Sequence, residues 1–305
     1  MQDSTMTRRN LFMSSQKNYA DKYTAAELMA SATAREIQDD EVVFVGIGVP
    51  MLGALLAKNN HAPNAIIGFE AGILGGKPVG ALWAVGDTGA TRKAEYMTTM
   101  WWIFSDLQNG YLSLGVLGGA QIDKYGNLNT TAIIGDNVYP NVKARLPGSG
   151  GANDIASSAG RTVIMMRLEN RRFLEKIDYV TSPGFLTGGD SRQKAGLVGS
   201  GPAAVVTQKC IFRFDDTTKE MYLDSLHPGV TVDEVRADVS WDLKVADVLK
   251  ETAPPTVEEI EFMKSVDPTD IILRTTRVYE KMDFWEWADV TEAGWDNIIA
   301  RNGGR

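Results

Sequence analysis

Glu41-Val-Val-Phe-Val-Gly-Ile-Gly-Val-Pro50, continuing into Met51 to Lys58, decides the fold. Glu41 to Val45 is a short apolar run rich in β-branched residues, which reads as a strand. Gly46-Ile47-Gly48 bounds it, and Pro50 stands near the start of the helix that follows. The unit is therefore strand, glycine turn, helix. Upstream, Thr24-Ala-Ala-Glu27 forms a capping box, after which Ala25, Leu28, Met29 and Ala32 share one helical face. That helix is expected to end near Asp39. Downstream, Ala65 to Phe69 is a second candidate strand, and glycines at 72, 75, 76 and 80 mark a long loop. Alternating strands and helices predict an α/β fold: a single open mixed, mostly parallel sheet flanked by helices.

Tyr96 to Leu107 is apolar on nearly every side, with Met97, Met100, Trp101, Phe104 and Leu107 on one stripe. Such a helix is buried or lies at an interface, and core packing is the expected reading. Further strands are expected at Ser113 to Leu117, Asn129 to Ile134, Thr162 to Met166, Ala203 to Thr207 and Ile211 to Phe214. Only Gln208-Lys209-Cys210 separates the last two, which reads as an antiparallel hairpin. Thr231-Val-Asp-Glu234 and Thr256-Val-Glu-Glu259 announce later helices by their capping boxes. Phe284, Trp287, Ala288, Thr291, Trp295, Ile298 and Ile299 share one face of a C-terminal amphipathic helix whose other face is acidic. Residues 1–20 are read as a flexible tail, 21–275 as one domain and 276–305 as a helical extension.

Composition narrows the chemistry. The 305 residues are 44% apolar, enough for a sizeable core. A net charge of -8 argues against a general nucleic-acid binder. No apolar run approaches the ~20 residues of a membrane span. Thr7-Arg8-Arg9-Asn10-Leu11-Phe12 looks like a twin-arginine export signal, but no apolar stretch follows it. The lone cysteine, Cys210, excludes an internal disulfide and suits a reducing cytoplasm. Two histidines, His61 and His227, leave almost no material for a Ser-His-Asp triad or a histidine metal centre, so no metal site is expected.

Gly46 and Gly48 end a strand and open a helix, where backbone N–H groups approach a phosphate closely. Glu70 ends the next strand about 20 residues on, where a dinucleotide fold places its ribose-binding acid. The third fingerprint position, however, is Met51 and not glycine, which leaves a nicotinamide dehydrogenase as a minority reading. Glu70 otherwise reads either as a nucleophile at a strand's carboxyl end or as a solvated loop acid. Gly148-Ser149-Gly150-Gly151-Ala-Asn-Asp154 offers adjacent glycine N–H groups ahead of a helix beginning near Asn153. That is either an oxyanion hole or a helix start capped by Asn153 or Asp154. Gln121, Asp123, Asn127 and Asn129 supply donors and acceptors on a turn, while Arg92 and Lys93 could hold an acidic ligand or be plain surface.

Taken in order, these segments resemble the β subunit of family I CoA-transferases, and most closely the glutaconate type. The likeness runs through Val-Gly-Ile-Gly-Val-Pro50, the Ala62-Pro63 pair, Ile-Ile-x-x-Glu-x-Gly72, Gly-Gly-Ala-Gln-Ile-Asp123 and Tyr-Gly-Asn127. It continues through Gly-Ser-Gly-Gly-Ala-Asn153, Ile-Met-Met166, Arg-Arg-Phe173, Lys-Ile-Asp-Tyr-Val-Thr-Ser-Pro-Gly184 and Met-Tyr-Leu223, covering about Tyr19 to Thr275.

The resemblance implies a CoA-transferase/NagB-like fold and makes Glu70 the catalytic glutamate, which forms an acyl-glutamyl anhydride and then a glutamyl-CoA thioester by ping-pong kinetics. It assigns Gly150 and Gly151 to the oxyanion hole. Gly46, Gly48, Gly72, Gln121, Asp123, Asn127 and Ser149 are the candidate CoA and substrate contacts. Coenzyme A would be a co-substrate, with no tightly bound cofactor. The partner would be an α subunit in an α2β2 or α4β4 complex, and the substrates an acyl-CoA and carboxylic acids, with a dicarboxylate such as glutaconate expected among them. Ala71 stands where the glutaconate type has serine, and the short-chain members carry Ser-Glu-Asn-Gly where this chain has Phe-Glu-Ala-Gly. Ring-cleaving acyl-CoA hydrolases share the scaffold and form the alternative, but their β-like subunits lack a glutamate at this spot, so Glu70 points to transfer.

Overall fold

The computed structural model of the protein describes residues 17–78, 80, 82, 84–274 and 283, 285, 286, 288 and 289. The chain opens with α1 (Ala25–Ala34), where Thr24 Oγ1 accepts from the Glu27 N–H and the Glu27 carboxylate accepts from the Thr24 N–H. This helix stops short of Asp39. The N–H groups of Glu36 and Ile37 turn back onto the carbonyls of Thr33 and Ala34, three residues away, and that tighter winding ends the helix. Next come β1 (Val42–Val45), α2 (Val49–Asn60) and β2 (Ile66–Phe69), as the opening stretch predicts. β3 (Ile73–Leu74) and β4 (Tyr96–Met97) are short antiparallel additions beyond β2.

Of the predicted helix at 96–107, only α3 (Met100–Gln108) is helical, and of the stripe read from sequence Leu107 is buried and Phe104 partly so. Ile103 and Leu107 are buried, whereas Met97, Met100, Trp101 and Trp102 are exposed. After β5 (Leu114–Leu117) come two hairpins, β6 (Gln121–Ile122) with β7 (Leu128–Asn129) and β8 (Ala132–Ile133) with β9 (Ala144–Arg145). The single strand expected at 129–134 is thus split. Asn129 Oδ1 accepts from the Thr131 and Ala132 N–H groups, and this local turn outcompetes a continuous ladder.

α4 (Ala152–Ser158) leads to β10 (Arg161–Met165), and α5 (Ser191–Lys194) precedes β11 (Pro202–Val206) and β12 (Cys210–Phe214), the expected hairpin. β13 (Met221–Leu226), α6 (Val232–Arg236), β14 (Lys244–Glu251) and α7 (Val257–Val266) complete the chain order, with both later capping boxes formed. Among the described residues, ten strands form one open mixed sheet in the order β14-β13-β12-β11-β10-β5-β1-β2-β3-β4. Its centre, from β11 through β2, is parallel.

Side chains alternate across β1, so Val43 and Val45 join the core beneath α1, α2 and α7, while Phe44 joins the core beneath α3 and α4. Asn18 to Ala20, placed in the tail on sequence, lie against the start of α7, where Ala20 N–H donates to Pro255 O and Val257 N–H to Asn18 O. Apart from five positions, the predicted C-terminal helix lies outside the described residues. No described helix is long and apolar enough to cross a membrane.

Candidate active site

β1 is the switch point of the sheet. The chain passes from β1 to β2 on one side, then returns to β5 on the other. The carboxyl ends of parallel strands flank a crevice there, which is where open α/β sheets bind ligands. Gly46 and Gly48 follow β1, and Glu70 follows β2, so all three lie on this edge. Gly48, with φ +92°, is the N-cap of α2, and open space lies in front of Gly46. Met51, at the failed third fingerprint position, is fully buried in the core, where the dinucleotide fold would need glycine.

Glu70 stands at the tip of a turn closed by the Gly72 N–H donating to Phe69 O at 3.0 Å. Gly72 has φ +96°, and a Cβ there would sit 2.4 Å from Thr98 O, so only glycine lets β4 and α3 approach the Glu70 turn this closely. The Thr98 N–H donates back to Gly72 O at 2.7 Å and pins the contact. The Glu70 side chain is half-buried, and among the described residues its carboxylate has neither a hydrogen-bond donor nor an ion-pair partner. Glu41 and Glu36, by contrast, are tied to Arg161 and Arg213.

The Gly148–Gly151 loop comes to the same place. A Cβ on Gly151 would lie 3.0 Å from Glu70 Oε1 and 2.4 Å from Phe104 Cζ, so the loop backbone, the carboxylate and an aromatic ring meet at one point. Gly148 and Gly150 have φ of +99° and +49°, which glycine adopts freely. The loop is anchored by the Gly148 N–H donating to Thr130 O and the Ala152 N–H donating to Ser149 O. The N–H groups of Gly150 and Gly151 have no acceptor among the described residues. The helix starts one residue before the predicted Asn153, and its N-cap is Gly151, not Asn153 or Asp154. Half-buried Ser149 belongs to this loop.

Gln121, Asp123 and Asn127 are brought together, but with each other and with residues far along the chain. Asp123 accepts from the Tyr125 and Asn127 N–H groups and from Asn127 Nδ2, while Asn127 Oδ1 accepts from the Gly184 and Leu186 N–H groups. Gln121 Oε1 accepts from Asn129 Nδ2 and from the Asp178 N–H. The side chains of Gln121, Asp123, Asn127 and Asn129 are all buried, and burial pushes the Asp123 carboxyl above its ordinary range despite these donors. This polar knot fastens the 178–186 segment to the β6–β7 hairpin, and none of its members hydrogen-bonds Glu70. Arg92 and Lys93 lie elsewhere, lining a cleft of about 350 Å³ with Lys58 and Lys77 that does not include Glu70.

Phe104 is the site residue that sequence reading placed on a core stripe. Its ring packs 5.7 Å from that of Phe44 on one side and against Gly151 on the other. Helical periodicity could mark it as apolar, but only the approach of α4 to α3 gives it a role beside the carboxylate.

The sequence model of the family described as Coenzyme A transferase matches residues 26–238. A 3-oxoadipate CoA-transferase subunit from Pseudomonas knackmussii is 39% identical, over 80% of this chain and 94% of its own length. A glutaconate CoA-transferase subunit from Acidaminococcus fermentans is 40% identical, over 81% of this chain and 93% of its own. The crystal structure of that glutaconate enzyme superposes with a TM-score of 0.78 at 38% identity, covering 84% of this chain and 99% of the other.

Proposed function

Because the chain belongs to the coenzyme A transferase family, we propose that it is the β-type subunit of a heteromeric CoA-transferase with Glu70 as nucleophile. The observation that carries this reading is an unpaired, half-buried carboxylate beside a glycine loop whose N–H groups are unspent. A Glu70 Oε attacks the acyl-CoA carbonyl, giving a mixed anhydride and the CoA thiolate. The thiolate attacks the glutamyl carbonyl, expelling the first acid and leaving a glutamyl-CoA thioester. A second carboxylate reverses both steps, releasing its own CoA ester and free Glu70. Carboxylic acids as a class are anionic at neutral pH, so a nucleophile of this type needs no histidine base.

Oxyanions form at the carbonyl carbon during each addition. The Gly150 and Gly151 N–H groups are the donors proposed for them, at a cost of about 10²–10³ in rate if one is lost. Gly46 and Gly48 would contact the incoming CoA ester from the neighbouring strand end; Gly72, expected from the resemblance to be a further contact, instead seats the Thr98 backbone against the Glu70 turn. Both relatives at about 40% identity carry dicarboxylates in their names, and a dicarboxylate such as glutaconate or 3-oxoadipate is proposed as one substrate. An α subunit would complete the site in an α2β2 or α4β4 assembly. A reducing cytoplasm is the proposed setting, consistent with one buried thiol at Cys210.

The test is chemical. The assembled complex is incubated with acyl-CoA and no acceptor, reduced with borohydride and digested. Conversion of the Glu70 side chain to an alcohol is expected in the mass spectrum. An unmodified Glu70 peptide from active enzyme would overturn the mechanism. Release of CoA at an undiminished rate with no acceptor acid would instead identify a hydrolase.

A further inference from the structure

A cleft of about 350 Å³ opens where α2 and α7 meet the segments after β3 and before β4. That volume lies within the range that holds a small ligand. Its apolar wall is Leu55 from α2, Phe262 and Val266 from α7, and Pro78. Its charged wall is Lys58, Lys77, Arg92 and Lys93, and among the described residues no acid lines it. Exposed lysines are ordinarily plain surface, yet in this chain of net charge -8 Lys124, Lys209, Lys244 and Lys250 each reach a carboxylate. Among the described residues, none of the four cleft cations does.

The backbone places these charges. The Lys77 N–H donates to Arg92 O at 2.8 Å, and Arg92 Nη1 donates back to Lys77 O at 3.1 Å, so the two residues are fastened side by side. Arg92 Nε and Nη2 have no acceptor among the described residues. Successive side chains of an extended chain point to opposite sides, yet Arg92 and Lys93 both line the cleft. Lys93 turns the chain there with φ +50°, in the left-handed region that residues other than glycine rarely enter. Lys58 Nζ spends two of its three N–H groups on Pro63 O and Ala65 O beyond the end of α2. Burial, and then the Lys77 charge, hold the Lys58 ammonium below the usual lysine range, and Glu95 and Asp39 offset this only in part. A bound anion would relieve that crowding of like charge.

We infer that this cleft binds a small organic dianion, a phosphate ester or a dicarboxylate, whose negative groups meet Arg92, Lys77 and Lys93 and whose carbon body lies on Leu55, Phe262 and Val266. The guanidinium fork matches either oxyanion in two bonds, and the lysines add charge without fixing direction. The site is separate from the Glu70 crevice. Lys58 bonds the residues just before β2, and Lys77 follows β3, which runs back along β2, so the cleft lies at the amino edge of β2. Glu70 stands at the carboxyl edge of the same strand. The inference therefore stands apart from the CoA-transferase reading.

The experiment titrates the assembled complex by calorimetry with phenyl phosphate and with glutarate, at about pH 8, where a phosphate ester is a dianion. A Kd below about 1 mM is expected for at least one of them, and the one that binds identifies the source of the charge. Inorganic phosphate lacks the carbon body and benzoate lacks the second charge, so each should bind at least ~10-fold more weakly. Lys77→Gln with Lys93→Gln removes two exposed charge contacts and should weaken binding about 10-fold. Lys22→Gln with Lys176→Gln removes the same charge from exposed positions outside the cleft and should leave binding unchanged. Lysine acetylation read by mass spectrometry locates the ligand: Lys77 and Lys93 should be protected by it and Lys22 should not. Binding of neither dianion overturns the inference, and so does binding that leaves Lys77 and Lys93 unprotected. Equal binding of inorganic phosphate or benzoate, or equal weakening by the control pair, overturns it as well.

Discussion

Gly151→Ala isolates the geometry on which the proposed chemistry depends. The new methyl would fall 2.4 Å from Phe104 Cζ and 3.0 Å from Glu70 Oε1. Carbon atoms in contact settle at about 3.5–4.0 Å, so the ring must retreat by more than about 1 Å and the carboxylate by several tenths of an ångström. Backbone strain does not enter, because Gly151 has φ -80° and ψ -3°, where alanine is at ease. Phe104 is only half-buried and can swing outward, so the stability cost should sit near the low end of the ~1–3 kcal/mol for overpacking. A melting shift of about 2–4 °C is expected.

Catalysis should suffer far more. Displacing a reacting group by about 1 Å costs on the order of 10²-fold, so a carboxylate shift of several tenths of an ångström should lower kcat by about 10-fold. The assay is kcat for CoA exchange in the assembled complex, with melting temperature beside it. Phe104→Ala in the same chain removes the ring clash but not the clash with the carboxylate. Rescue should therefore be partial, and the two substitutions should be strongly non-additive. A Gly151→Ala complex with wild-type kcat, or full rescue by Phe104→Ala, would refute the placement of the loop against Glu70.

Three other outcomes follow from buried groups. Arg192 is buried and donates to the carbonyls of Gly184, Ala156 and Val198, at 3.0, 2.8 and 2.6 Å, so it clasps the end of α4 to two loops. Arg192→Met should orphan these acceptors and cost at least about 3 kcal/mol, at ~1–3 kcal/mol each, read by urea unfolding; a loss below about 1 kcal/mol would contradict the clasp. His227 is buried with Nε2 against Thr207 O, and burial holds its imidazolium form below the usual histidine range. The unfolded chain then binds the extra proton, so His227 contributes stability above pH about 6.5 that is lost as pH falls toward the depressed folded value. His227→Gln should flatten the pH 5 to 7 limb of the melting curve, and an unchanged limb would exclude this histidine as its source. Burial pushes the Cys210 thiol up to about 12. It should resist disulfide reagents at neutral pH in the folded protein and react at once in denaturant, and fast native labelling would show that the site opens.

How far the sequence reaches is visible in individual residues. The β-branched run before Gly46, the capping residues Thr24, Thr231 and Thr256, and the Gln208–Cys210 turn fix their elements through contacts three or four residues away, which a linear reading captures. Glu70 could be singled out for the same reason: a strand end followed by glycine is a local pattern. What Trp101 and Phe104 do was not legible. Periodicity says that α3 is apolar all round, and only the packing of α4 and the loss of sheet beyond β4 decide that Ile103 and Leu107 face the core. Gln121 and Asn127 read as free ligands on a turn because the groups that occupy them, Asp178, Gly184 and Leu186, lie 57 or 59 residues downstream, whereas Asp123 is taken up by its own turn through Tyr125 and Asn127. The sequence by itself determined the class of sheet and the identity of the candidate nucleophile. Tertiary structure alone decided that a glycine loop more than 70 residues away sits against that carboxylate, because the desolvation and steric fit that define a site arise between elements that share no local contacts.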